Sequence, residues 1–78
     1  MVIEVRLYAA LRRYEPSSGN GILAVDVPDD ISVGELIDQL EIEPSEIHLI
    51  IVNGMNGKLE QILVDGDKVG LFPAIRGI

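Results

Sequence analysis

The chain has 78 residues, which is the length of one domain rather than two. Its formal net charge of −7 argues against nucleic-acid binding, because phosphates are recognised by clustered lysine and arginine. It contains no cysteine, which excludes disulfides and thiolate metal sites.

Targeting signals are not evident in the sequence. The first residues run directly into an alternating apolar pattern, so we expect no secretion signal. The longest apolar run, residues 49–52, is far shorter than the roughly 20 residues that a membrane helix requires. Together with the lack of cysteine, these features predict a cytoplasmic protein.

The charges are distributed unevenly along the chain. No lysine or arginine occurs between Tyr14 and Gly57, and that stretch carries nine acidic residues: Glu15, Asp26, Asp29, Asp30, Glu35, Asp38, Glu41, Glu43 and Glu46. We expect one side of the domain to present a negative field that speeds encounter with a basic partner. For any single acid, a solvated surface position is the simpler interpretation.

The first part of the chain predicts a β-hairpin. Residues 2–8 alternate between apolar and polar side chains, which is typical of a half-buried strand. Residues 9–14 are expected to turn the chain, and residues 15–21 have the composition of a loop. Residues 22–27 predict a second strand, and the connection is too short for a parallel crossover.

Residues 32–41 form the clearest predicted helix. Ser32 is a favourable N-cap, and Glu35 three residues later completes a capping box. The apolar residues then fall at helical spacing on a single stripe, which predicts that one face is buried: Val33, Leu36, Ile37 and Leu40.

The last part of the chain predicts strands separated by tight turns. Residues 48–53 form an apolar run that suggests a strand buried on both faces, in a central position or at a covered edge. Residues 58–64 fit either a short strand or an irregular turn. Residues 68–72 predict the final strand, which Pro73 ends. The turn signals are Asn53-Gly54, Asn56-Gly57 and Asp65-Gly66-Asp67.

Three segments carry a family resemblance across nearly the whole chain: residues 8–12, residues 49–54 and residues 65–73. The last, Asp-Gly-Asp-Lys-Val-Gly-Leu-Phe-Pro, is the most specific. With the capped helix, these segments resemble the sulfur-carrier family of molybdopterin synthase small subunits and thiamine sulfur carriers.

The resemblance implies an α+β fold of the β-grasp (ubiquitin-like) type. Its mixed sheet has four to five strands, with one main helix packed on one face and the first and last strands parallel and central. Residues 1–73 would form the β-grasp domain, and residues 74–78 a C-terminal tail.

The same resemblance implies a function for that tail. In the family the terminal carboxylate is activated as an acyl-adenylate by a ubiquitin-activating-like enzyme and then converted to a thiocarboxylate. It implies no cofactor. The second partner is a sulfur acceptor, such as a molybdopterin synthase large subunit or thiazole synthase. The carrier end would be Gly77 and Ile78, and the partner-binding residues would be Leu71, Phe72, Pro73, Ala74, Ile75 and Arg76.

One position departs from the family pattern, because Ile78 stands where the family has its final glycine. Three hypotheses follow. In the first, the protein is a carrier in which Ile78 is either tolerated or trimmed. In the second, it is a non-covalent subunit whose tail has lost this chemistry. In the third, it is an enzyme. The enzyme is disfavoured, since there is no cysteine nucleophile and His48 is the one histidine.

Overall fold

Eight elements occur in the parts of the chain that the computed structural model describes, residues 1–14 and 21–74. In chain order they are β1 (Val2–Leu7), a first 3-10 helix (Ala9–Tyr14), β2 (Ile22–Asp26), α1 (Val33–Gln39), a second 3-10 helix (Pro44–Glu46), β3 (Ile47–Val52), β4 (Met55–Asn56) and β5 (Lys68–Pro73). Across these ranges, every helix falls short of the length and hydropathy that a membrane span requires.

The five strands form one mixed sheet in the order β2-β1-β5-β3-β4. β1 runs parallel to β5, and the other neighbouring pairs are antiparallel. The α+β prediction is confirmed, including the parallel central strands and the single main helix on one face.

The core is aliphatic and lies between the sheet and α1. Alternate residues of β1 and β5 face it, so Val5 pairs with Val69 and both are fully buried. From α1, the apolar stripe contributes Val33, Leu36 and Ile37, each at most 1% exposed. The alternating apolar residues of the strands and the apolar stripe of α1 therefore pack against each other in one core.

The start of α1 is fixed by the predicted capping box. The Glu35 amide donates to Ser32 Oγ at 3.1 Å, and the Ser32 amide donates to Glu35 Oε1 at 3.0 Å. The next two amides, of Val33 and Gly34, donate to carbonyls in the segment that precedes β5. That segment is irregular and has a single bridge, between Ser32 and Ile62. Of the two alternatives predicted for residues 58–64, the irregular turn is therefore correct and the short strand is wrong.

Several predicted boundaries and turns change in the structure. Residues 9–14 form a 3-10 helix, and α1 ends at Gln39 because Glu41 adopts a left-handed φ of 59°. The Asn53-Gly54 turn is confirmed, with φ of 51° and 84°. The predicted turn at Asn56-Gly57 is wrong, because Asn56 lies within β4.

The prediction that β3 is buried on both faces is also wrong. β3 does lie inside the sheet, between β5 and the short β4. Leu49, however, is 39% exposed, and only Val52 in this strand is buried. α1 covers one face of the sheet, and an apolar run alone cannot reveal that the other face is open.

Asp67 fixes the start of β5. Its carboxylate accepts hydrogen bonds from Asn53 Nδ2 at 2.8 Å and from the Val64 amide at 2.9 Å, and Asp67 is 7% exposed. The Lys68 amide donates to Asn53 Oδ1 at 3.0 Å. The turn role predicted for Asp67 is confirmed, and the carboxylate additionally ties β5 to the β3–β4 turn.

Replacing this carboxylate should destabilise the fold. In Asp67→Ala, the Val64 amide and the Asn53 side chain lose a part-buried charged acceptor, so we expect the free energy of unfolding to fall by about 2–3 kcal/mol. Urea unfolding followed by circular dichroism measures the change. Asp38→Ala, at an exposed helix position, is the control and should stay within about 0.5 kcal/mol of the wild type. Equal effects of the two substitutions would contradict the assignment.

Candidate functional site

One face of the sheet is not covered by α1, and we call it the open face. Side chains alternate along a strand, so the neighbours of the buried residues of β5 point to this face. The open face consists of Glu4, Arg6 and Tyr8 along and just after β1, Ile22 and Ala24 on β2, Leu49 and Ile51 on β3, and Lys68, Gly70 and Phe72 on β5.

Two aromatic rings stack at one end of the open face. The ring centroids of Tyr8 and Phe72 are 4.2 Å apart, and the ring planes differ by 4°. Gly70 lies beside both rings: a Cβ atom there would be 3.4 Å from Tyr8 Cε2 and 3.6 Å from Phe72 Cε1. Because β1 and β5 are parallel, the pair lies at the end of the sheet where the tail begins.

Charged side chains border this aromatic pair. Arg6 Nε donates to Glu4 Oε2 at 2.8 Å, and this bond, with the neighbouring Tyr8, raises the pKa of the Arg6 guanidinium. Lys68 is exposed nearby. A depression of about 500 Å³ is lined by Arg6, Tyr8, Ile51, Asn53, Gly54, Lys68, Gly70 and Phe72. The surface thus combines an apolar centre with fixed charges, as protein interfaces do.

The chain leaves the sheet between the two 3-10 helices. β5 ends at Pro73, and the amide of Ala74 donates to the carbonyl of Glu46 at 3.3 Å. The Glu46 carboxylate accepts a hydrogen bond from the Tyr14 hydroxyl and forms an ion pair with Arg13. Residues from both 3-10 helices therefore contact the base of the predicted tail.

The structure places the predicted site residues in different environments. Leu71 is fully buried in the core, so its assignment as a partner contact is corrected to a packing role. Phe72 and Pro73 are half-buried, and Ala74 is exposed. The other predicted tail residues lie outside the described part of the chain: Ile75, Arg76, Gly77 and Ile78.

Some residues of the site were not identified from the sequence. Tyr8 lies on the polar side of the β1 alternation, which could have placed it on the open face but not against Phe72. The contact between Arg13 and Glu46 joins residues far apart in sequence, and no local pattern indicates it. Arg13 therefore contacts the residue whose backbone binds the base of the tail.

Other kinds of site find little support. Within residues 1–14 and 21–74, no group of three or more His, Asp or Glu side chains is placed to hold a metal ion. His48 is exposed, at an irregularity in the pairing of β3 with β5. The first amides of α1 already donate to protein oxygens, which leaves no anion site at that helix end.

The strand order, the parallel central pair and the single helix define a ubiquitin-like β-grasp protein. A family model described as Mut7-C ubiquitin matches residues 1–78, and the chain belongs to this family. No curated protein sequence matches the chain.

Solved structures share this fold. SAMP1 from Haloferax volcanii is 25% identical, with a TM-score of 0.77 over 99% of each chain. The HVO 2177 protein of Haloferax volcanii is 28% identical, with a TM-score of 0.77 over 99% of this chain and 86% of that one. A chain in the complex of subunits 1 and 2 of molybdopterin-converting factor from Helicobacter pylori is 20% identical, with a TM-score of 0.64 over 99% of each chain. Together with the family match, these structures confirm the ubiquitin-like β-grasp fold that the resemblance implied.

The aromatic stack can be measured as a coupling energy. In a double-mutant cycle of Tyr8→Ala and Phe72→Ala, we expect the unfolding free energies to be non-additive by about 0.5–1.5 kcal/mol, because each single substitution already removes the stack. Chemical denaturation of the four proteins gives this value. Phe72→Ala combined with Ile62→Ala, beside the start of α1, is the control cycle and should be additive. Additivity in both cycles would show that the stack contributes nothing.

Proposed function

We propose that the protein is a ubiquitin-like sulfur carrier that presents its C-terminal segment to partner enzymes. The observation that carries the proposal is the course of β5. This strand pairs with β1 and β3, carries Phe72 on the open face, and leads directly into the tail at Ala74. The docking surface and the reacting segment are therefore joined by one strand.

The protein would supply the reacting group, and its partners would supply catalysis. Adenylation joins the tail carboxylate to AMP and releases pyrophosphate from ATP. Hydrosulfide then attacks the acyl carbon, the bond to AMP breaks, and the products are a thiocarboxylate, AMP and a proton. Five residues follow Pro73, and an extended segment of that length spans about 17 Å. Gly77 has no Cβ, which suits passage through a narrow channel.

Ile78 is the feature that this proposal must accommodate. A β-branched side chain next to the reacting carbon is bulkier and stiffer than glycine. We propose two forms of the carrier end: Ile78 itself, or Gly77 after removal of Ile78. In both forms Arg76 and Ile75 lie in the segment that enters the partner.

The partners follow from the same chemistry. The Helicobacter pylori structure is a complex of two subunits of molybdopterin-converting factor, which supports a sulfur-acceptor partner here. We propose an acceptor of the molybdopterin synthase large-subunit or thiazole synthase type, and an adenylating enzyme that resembles ubiquitin-activating enzymes. Because activation consumes ATP, we propose that the protein works in the cytoplasm.

The alternative is a non-covalent subunit without tail chemistry. The comparisons favour the carrier over this alternative, since the similar structures include a molybdopterin-converting factor subunit. The two functions share the open face as a docking surface and differ in the fate of the terminal carboxylate.

The intact mass of the protein from its native cells tests the carrier. We expect a fraction in which one terminal oxygen is replaced by sulfur, on a chain that ends at Ile78 or at Gly77. In cells that lack the adenylating enzyme, this fraction should disappear, which provides the control. A chain without sulfur in active cells would overturn the carrier and support the non-covalent subunit.

Docking through the open face can be tested separately. Ile51→Glu puts a charge at its centre and should weaken binding to the purified adenylating enzyme about tenfold or more, measured by calorimetry. Ile62→Glu, beside the start of α1, adds the same charge at an exposed apolar position away from the open face and should bind as the wild type does. Equal affinity of the two variants would exclude the open face as the docking surface.

A further inference from the structure

Glu46 connects three parts of the molecule at the base of the tail. Its carboxylate accepts from the Tyr14 hydroxyl and pairs with Arg13, both in the first 3-10 helix. Its backbone carbonyl accepts from the Ala74 amide at 3.3 Å. A single residue therefore binds the 3-10 helix with its side chain and the tail with its backbone.

Arg13 is itself held in place on two further sides. Its Nη1 donates to the carbonyl of Ala10 at 3.0 Å, and its guanidinium carbon lies 4.8 Å from the centroid of the Tyr14 ring. An exposed ion pair contributes little to stability, and the Arg13 side chain is 52% exposed. The ion pair therefore contributes little to the stability of the fold. Its location at the end of β5 suggests a role in holding the tail instead.

The cluster lies where the β-ladder loses a donor. β5 pairs with β3 as far as Pro73, which is opposite Ile47, and proline has no amide hydrogen. The next hydrogen bond along the chain is the one from Ala74 to Glu46. A depression of about 320 Å³ surrounds it, lined by Ala10, Arg13, Ser45, Glu46, Pro73 and Ala74.

We propose that Arg13, Tyr14 and Glu46, which we call the exit cluster, position the base of the tail and set the direction in which the tail leaves the sheet. By holding the second 3-10 helix against the first, the cluster keeps the Glu46 carbonyl in place for Ala74. The anchoring of Ala74 stands by itself, whereas the effect on sulfur transfer rests on the proposed function. A tail whose base is already ordered loses less entropy when a partner takes it up.

Amide hydrogen exchange measured by NMR tests the anchoring without any partner. In Arg13→Gln/Tyr14→Phe we expect the Ala74 amide to exchange about fivefold faster or more, because its acceptor is no longer held. The Asn53 amide, which donates to the Lys68 carbonyl at 2.8 Å at the other end of β5, should keep its wild-type rate. Arg12→Gln removes the same charge one residue away, beside Gly21, and is the matched control.

Unchanged exchange at Ala74 in the double variant would overturn the proposal. The same holds if Arg12→Gln accelerates Ala74 equally, since the effect would then come from charge and not from the cluster. Should the double variant unfold, Tyr14→Phe alone removes one hydroxyl and is judged by the same criterion.

Adenylation kinetics with the purified activating enzyme test the effect on transfer. For Arg13→Gln/Tyr14→Phe we expect kcat to fall about fivefold while KM stays within about twofold, because docking is intact and the tail is misdirected. A wild-type kcat together with a loosened Ala74 would overturn the role in transfer. If the wild type itself is not adenylated, the proposed function fails, and the exchange experiment still decides the anchoring.

Discussion

The parallel pairing of β1 with β5 is the constraint on which the rest of the structure depends. A parallel pair cannot be closed by a tight turn, so all of the intervening chain must cross from one strand to the other. Leu7 pairs with Leu71 and both face the core, while β2 attaches to the outer side of β1 and β3 to the outer side of β5. The same pairing places Tyr8 beside Phe72 at one end of the sheet. The register of β1 against β5 therefore sets the contacts on both faces, in the core and on the open face.

β5 is tied at both of its ends, by different means. At its start, the buried Asp67 carboxylate binds Asn53 and the Val64 amide, which sets where the strand begins against β3. At its end, Pro73 has no amide to donate to the ladder, and the next hydrogen bond is the one that the Ala74 amide donates to the Glu46 carbonyl. Sites on a strand held in this way are more precisely placed than sites on loops. A carrier needs this precision where its tail begins.

The sequence was informative where one local pattern decides the structure. Ser32 and Glu35 identify the start of α1, since both capping bonds form within one turn of helix. The alternation of β1 likewise predicted a half-buried strand, and Ile3, Val5 and Leu7 are its buried residues. The motif that ends in Leu71-Phe72-Pro73 carried the family resemblance, but it did not show that Leu71 faces the core.

Failures of the sequence-based predictions fall where distant segments meet. Leu49 is exposed because it lies on the open face, which α1 does not cover. Asn56 joins β4 only because the Asn53-Gly54 turn folds it back onto β3. The pairing of Arg13 with Glu46 depends on the packing of two 3-10 helices. Periodicity carries no information on such contacts, and the candidate site is built largely from them.

The distribution of charge along the sheet suits the proposed chemistry. The strands β1 and β5 begin at the end where the Met1 ammonium lies 3.8 Å from Asp26 and 3.8 Å from Asp29, and they end beside Arg12 and Arg13. Adenylation brings a terminal carboxylate to the phosphates of ATP, so additional acids beside the tail would oppose the approach through unscreened repulsion within about 10 Å. Glu46 lies at that end, but its carboxylate is already paired with Arg13. The acid that positions the tail is thus paired with the residue that holds it in place, which reduces the repulsion that its carboxylate would exert on the phosphates.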